Sequence, residues 1–153
     1  MEDLATTTKF REAVMSIEEM ILKEPGSLAG HDTEQLAPVA HLFADGCVMR
    51  SWTCPPGVLT VSKIHKTSHP IFMLYGDVSV MTEDGIVRMQ GANYGVTPVG
   101  TKRVLYTHAE TKWVAVHVTD ETDIDKIEEY VIAKDFDDPA ITTVDLAKLM
   151  EAE

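Results

Sequence analysis

The apolar positions of this chain change period three times. Over residues 7–23, Phe10, Val14, Ile17 and Ile21 recur every three or four positions, which predicts an amphipathic helix ended by Pro25-Gly26. Residues 25–40 keep no period. They are rich in Gly, Pro, Asp and Ser, carry His31, and predict an irregular arm, lid or pad across the mouth of whatever follows. From Phe43 to Val118 the pattern becomes short β-type runs divided by turn residues: 48–53, 58–65, 71–75, 78–82, 86–90, 104–107 and 113–119. Glu83-Asp84-Gly85 signals a hairpin. Residues 120–133 return to helix, with Asp120 or Thr122 as cap and Ile124, Ile127, Tyr130 and Val131 as the apolar stripe. Asp135-Phe-Asp-Asp-Pro breaks that helix, and 143–150 predict a last short one. The expected fold is mostly β: one small sandwich or barrel over 43–119, a helix and arm over 1–42, and an acidic helical segment over 120–153 packed on the barrel.

Charge sharpens this division. The chain of 153 residues carries a net charge of −12, enough length for one core and no second domain. Residues 1–49 hold three basic and nine acidic side chains, 50–112 hold seven and four, and 113–153 hold three and twelve. A basic barrel inside an acidic protein suits a small anion. It excludes a nucleic-acid duplex or an anionic membrane surface, which would be repelled at long range. No apolar run approaches bilayer length, and Met-Glu-Asp-Leu-Ala-Thr lacks the features of a secretory signal, so a cytoplasmic location is expected. Cys47 and Cys54 are then read as reduced and packed in strands. The chain lacks a Gly-x-Ser-x-Gly elbow, a phosphate-loop lysine motif and a dinucleotide glycine fingerprint, which removes serine hydrolases, P-loop NTPases and Rossmann oxidoreductases.

Candidate chemistry concentrates in 55–76. Lys63 and His65 alternate with Ser62 and Ile64 as on a strand with one wet face, and His69 opens the next strand. Four-residue spacing also suits one face of a helix, but Pro70 and the β-branched residues before His65 argue for strands. His65 and His69 are candidate metal ligands, and His117 completes the set because Trp113, Ala115 and His117 share one strand face. His41 and His108 are weaker, His108 lying beside a predicted turn at Ala109-Glu110-Thr111. Lys63 and Arg103 support a different site, an anion pocket in which a guanidinium grips a carboxylate or phosphate through two parallel hydrogen bonds. The structural alternative pairs Arg103 internally with Asp77, Glu83 or a carboxylate of the acidic helices. Tyr106 and Trp113 are read as stacking residues of the pocket, with Trp52, Tyr75 and Tyr94 as further aromatic wall or plain core.

The Pro-Pro-Gly turn, the strand after it and the apolar strand running into Gly76-Asp-Val-Ser-Val resemble the first motif of the cupin family. Pro98-Val-Gly-Thr-Lys-Arg103 resembles the second. The resemblance covers about residues 43–118 and implies a single small cupin-type barrel, or jelly roll, that pairs into a homodimer. Counted back from Gly76, Lys63 falls where the family's first histidine belongs, His65 at the second, His69 at the glutamate, and Arg103 at the last histidine. Two of four expected ligands are thus cations, and an arginine does not lose its proton to bind a metal. His41-Leu-Phe-Ala-Asp-Gly, Ile64-His-Lys-Thr and Val118-Thr-Asp-Glu-Thr-Asp are further similar to uncharacterised cupin-like proteins of tailed phages and bacteria.

Three functional classes follow. The first is a binding protein for a small anion such as a nucleotide, sugar phosphate or organic acid, held by Lys63, His65, His69, Arg103, Tyr106 and Trp113; the phage-like resemblance implies capture of a nucleotide signal as one form. The second is a metal-dependent dioxygenase, isomerase or lyase, with one divalent transition metal on His65, His69 and His117 and with Lys63 or Tyr106 as acid or base; a metal-free isomerase with His65 as base is its variant. The third is a structural or interaction protein whose barrel is filled by side chains.

Overall fold

The computed structural model describes residues 4–141; the short helix expected over 143–150 lies outside them. Helix α1, Leu4–Lys23, turns Val14 fully inward and half-buries Phe10, Ile17 and Ile21, the stripe its period requires. Lys23 pairs with Glu19 at 3.0 Å in the last turn, and Gly26 takes φ 81° to turn the chain away. The arm that follows holds a short 3₁₀ helix, Gly30–Gln35.

The barrel begins earlier than the sequence pattern indicates. Strand β1, Val39–Ala44, begins at the end of the segment expected to be irregular and pairs antiparallel with β2, Cys47–Cys54. It is an edge strand whose side chains are exposed or only half-buried, so it carries no run of buried apolar residues to announce it. The run expected at 58–65 is two short strands, β3 (Leu59–Val61) and β4 (Ile64–His65), interrupted at residues 62–63. The largest departures are β5, His69–Thr82, and β8, Val104–Val118, each of which joins two predicted strands. Ala109-Glu110-Thr111 is strand, not turn. In β5 the Gly76-Asp77 step is a register irregularity inside one strand instead of a break. Strands β6 (Gly85–Gln90) and β7 (Asn93–Thr97) both pair with β5, β6 through the hairpin at Glu83-Asp84.

The sheet runs β1-β2-β8-β5-β6, with β3 added to β8 and β7 to β5. Long strands β5 and β8 thereby pass through both halves of the barrel. Met73, Val78 and Val80 form one buried cluster, against which Met89, Leu105 and Trp113 pack. Helix α2, Ile124–Val131, starts at Asp123, one residue beyond the expected Thr122, because the Asp123 carboxylate accepts from the backbone N–H groups of Asp125 and Lys126. It buries Ile127 and Val131 and runs into β9, Ile132–Ala133, which pairs with β4. The acidic C-terminal segment thus holds His65 in place. Both cysteines are free thiols, and among the described residues no helix is long and apolar enough to cross a membrane.

Candidate functional site

Between barrel and arm lies a cavity of about 630 Å³, so the barrel is not filled by side chains, as the third functional class required. Arm residues including Leu28, Thr33 and Leu36 line one side. The barrel side carries three imidazoles from three strands, His65 (β4), His69 (β5) and His117 (β8). The ring centroids of His65 and His69 are 5.0 Å apart, and those of His69 and His117 4.3 Å.

Two of these rings have a fixed tautomer. His65 Nδ1 lies 3.1 Å from the carbonyl of Thr101, and His69 Nδ1 2.9 Å from that of Thr67. A carbonyl only accepts, so each Nδ1 carries the proton and each Nε2 keeps a free lone pair. In His117, which is 2% exposed, Nδ1 is buried without a hydrogen-bond partner. All three are held neutral. Burial, with the charges of His69, Arg50 and Arg103, pushes His65 down to about 4 against the Thr101 hydrogen bond, which acts the other way. Burial, then His69, Arg50 and His65, pushes His117 down to about 3. His69 is lowered by burial and Arg50, again against its carbonyl bond.

Arg50 lines the cavity as well, a site residue not singled out from the sequence. It lies on β2 opposite Ala115, which shares the inward face of β8 with Trp113 and His117, and the small alanine leaves room above it. Its Nε donates to His41 Nε2 at 3.3 Å, and its Nη2 contacts Glu128 Oε1 at 3.3 Å. The signal was present in the alternation of Val48, Arg50 and Trp52, which places a guanidinium on the same face as two apolar residues.

The other expected site residues divide. Trp113 lines the cavity. Arg103 also lines it, but its Nη2 contacts Glu83 at 3.4 Å, the internal pairing held as the alternative, while its Nε is buried without a partner. Lys63 stands exposed at the cavity edge, because the strand break at 62–63 ends the alternation that was expected to carry it inward. Tyr106 is not in the wall. It is exposed on the outer face, edge-on to His108 at 4.9 Å between centroids. Its neighbour Leu105 takes the inward position. Among the described residues, the group of three that brings one ligand atom each within 4.8 Å is His31, Glu34 and Glu128, near Arg50; the barrel imidazoles stand wider apart.

No family model and no curated protein matches the sequence. Solved structures do match in fold, several of them cupin domains. A cupin domain from Bordetella pertussis Tohama I shares 19% identity over 55% of this chain and 94% of its own, with a TM-score of 0.43. The cupin domain of Schizosaccharomyces pombe Cnp3 shares 17% over 60% and 67%, with a TM-score of 0.44. The DMSP lyase DddQ from Ruegeria pomeroyi DSS-3 shares 18% over 64% of this chain and 55% of that one, with a TM-score of 0.51. The fold is mostly β, an antiparallel sheet of many strands with flanking helices, and the likeness to the lyase structure is one of fold alone. Proteins of this fold include at least one enzyme, the lyase just named.

Proposed function

We propose that the barrel cavity holds a divalent transition metal on His65, His69 and His117 and receives a small anionic ligand beside it. The observation that carries this reading is the clustering of three imidazoles, two of them tethered through Nδ1–H to backbone carbonyls so that Nε2 is left as the donor; a bound ion would draw their nitrogens closer than they stand here. Such tethers are the usual outer support of metal-binding histidines. The donor set is one that iron, zinc, nickel or copper accept. A metal held there would supply Lewis-acid polarisation of a ligand oxygen. The chain itself supplies a dry wall and the guanidinium of Arg50 for the ligand's charge. Reconstitution with iron, zinc, manganese and nickel, followed by elemental analysis, is expected to give about one equivalent of metal, lost in His69→Ala and His117→Ala. Less than about a tenth of an equivalent with every metal would sink the reading, in keeping with the high affinity expected of a three-histidine site. Native mass spectrometry of the same sample separates the forms: a retained nucleotide or organic anion supports a sequestering protein, and turnover supports an enzyme.

The outer face of the sheet supports a homodimer. Ser51, Val114, Phe72 and Tyr94 lie in register across β2, β8, β5 and β7, and Leu42, Met49 and Val116 across β1, β2 and β8. Leu42, Phe72, Leu74, Tyr94, Val96 and Val118 are exposed. Those two rows contain no charged side chain, in a protein of net charge −12 whose copies repel elsewhere. Sedimentation velocity is expected to show a dimer that Phe72→Glu weakens by about 100-fold or more, because a carboxylate would be buried unpaired. An unchanged association constant would remove this face as the contact.

A further inference from the structure

Every buried or half-buried cation lining the cavity already has one carboxylate: Arg50 has Glu128, Arg103 has Glu83, and Lys102 has Glu18. The Arg50 pair lies one step along the inward face from His117. It is also a poor pair for its burial. Both side chains are at least 85% buried, yet the contact is single, at 3.3 Å, whereas a guanidinium and a carboxylate that face each other form two parallel bonds near 2.8 Å. The other oxygen of Glu128, Oε2, faces His31 of the arm, whose Nε2 lies 3.7 Å away, and Glu128 shares its neighbourhood with a second carboxylate, Glu34. An incoming carboxylate, not anchored to α2 as Glu128 is, is able to take Arg50 squarely.

We infer that the cavity's ligand is a monocarboxylate with an apolar body, gripped by Arg50, and that Glu128 is the built-in carboxylate it displaces. This rests on the reading of the cavity as a ligand site. Charge selects the class. Exchanging one monoanion for another at Arg50, with Glu128 turned toward the exposed His31, leaves one negative charge on the guanidinium, whereas a phosphate dianion would bring two negative charges to its single positive charge. The wall selects the body: Trp52, Trp113, Ile71, Val80 and Leu105 offer apolar surface to the rest of the molecule.

The test uses the full chain at pH 7.5 with hexanoate and benzoate, their amides hexanamide and benzamide, and inorganic phosphate. Binding is read by calorimetry and by Trp52 and Trp113 fluorescence. The acids are expected to bind at least about tenfold more tightly than the amides, since only the acids meet the Arg50 charge, and phosphate is expected not to displace them. Glu128→Gln is expected to tighten acid binding by about tenfold by removing the competitor. Arg50→Gln with Glu128→Gln removes both charges together, which spares the fold an unpaired ion, and is expected to abolish the acid-over-amide preference. Equal binding of acid and amide, displacement by phosphate, a preference that survives in the double variant, or no binding of either acid would each overturn the inference. Metal content measured on the same samples keeps the two readings apart: acid preference without metal fails the imidazole reading alone, and metal without acid preference fails this one alone.

Discussion

Between pH 7 and pH 4.5 the protein is expected to lose about 5 kcal/mol of stability, most of it through His65 and His117. Burial is the first cause for both, and it acts by penalising the charged form, so the folded chain holds these rings neutral while the unfolded chain protonates them near 6.5. A group whose folded pKa is depressed stabilises the fold fully above its unfolded pKa and loses that contribution as pH falls toward the folded value. The window therefore opens near 6.5 and extends down to about 4 for His65 and about 3 for His117. At pH 4.5, two units below 6.5, each ring accounts for about 3 kcal/mol at most. His69 shifts in the same direction and adds to the slope. Asp77, whose carboxyl is held low by Arg88 and Gln90, acts at lower pH and does not confuse this window. Urea midpoints at the two pH values, followed by Trp52 and Trp113 fluorescence, measure the loss, and His117→Asn is expected to flatten it. A stability that stays level across the window would show that the rings are not buried neutral.

Gly76→Ala is expected to cost about 3 to 5 kcal/mol, a large part of the 5–15 kcal/mol that holds a domain of this size together. Gly76 has φ 135°, which residues with a side chain rarely adopt, and a Cβ built on it would lie 2.7 Å from the Cα of Thr111 and against that residue's hydroxyl. The obstacle is backbone in β8, which has no rotamer to move out of the way. Two causes add here, local strain and forced separation of β5 from β8, the two strands that carry His69 and His117. Gly95→Ala is the control. That glycine lies in β7, takes no positive φ, and has nothing within 4 Å of its would-be Cβ, so its melting temperature is expected to move by no more than a degree or two. A Gly76→Ala melting temperature within about 3 °C of the parent would remove the close approach as a structural requirement.

Local periodicity determined α1, α2, the Glu83-Asp84 hairpin and a β-rich middle, because each depends on contacts within a few residues. It also brought out His65, His69 and His117, since a histidine on an alternating strand is visible wherever that strand goes. The turn-and-strand order around Pro55-Pro56-Gly57 and Pro98-Val99-Gly100 pointed to the mostly β fold that the sheet has. Tertiary packing decided the rest. Gly76-Asp77 and Ala109-Glu110-Thr111 read locally as turns, but pairing of β5 with β8 satisfies their backbone groups and carries both strands straight through. Alternation names two faces without saying which is inward, so Tyr106 and Leu105 were equal until the sheet closed on Leu105. A break in a strand erases the phase altogether, which is why Lys63 went outward. The Arg50–Glu128 pair, 78 residues apart, has no local signature, and only the docking of α2 against the barrel puts a carboxylate within reach of that guanidinium.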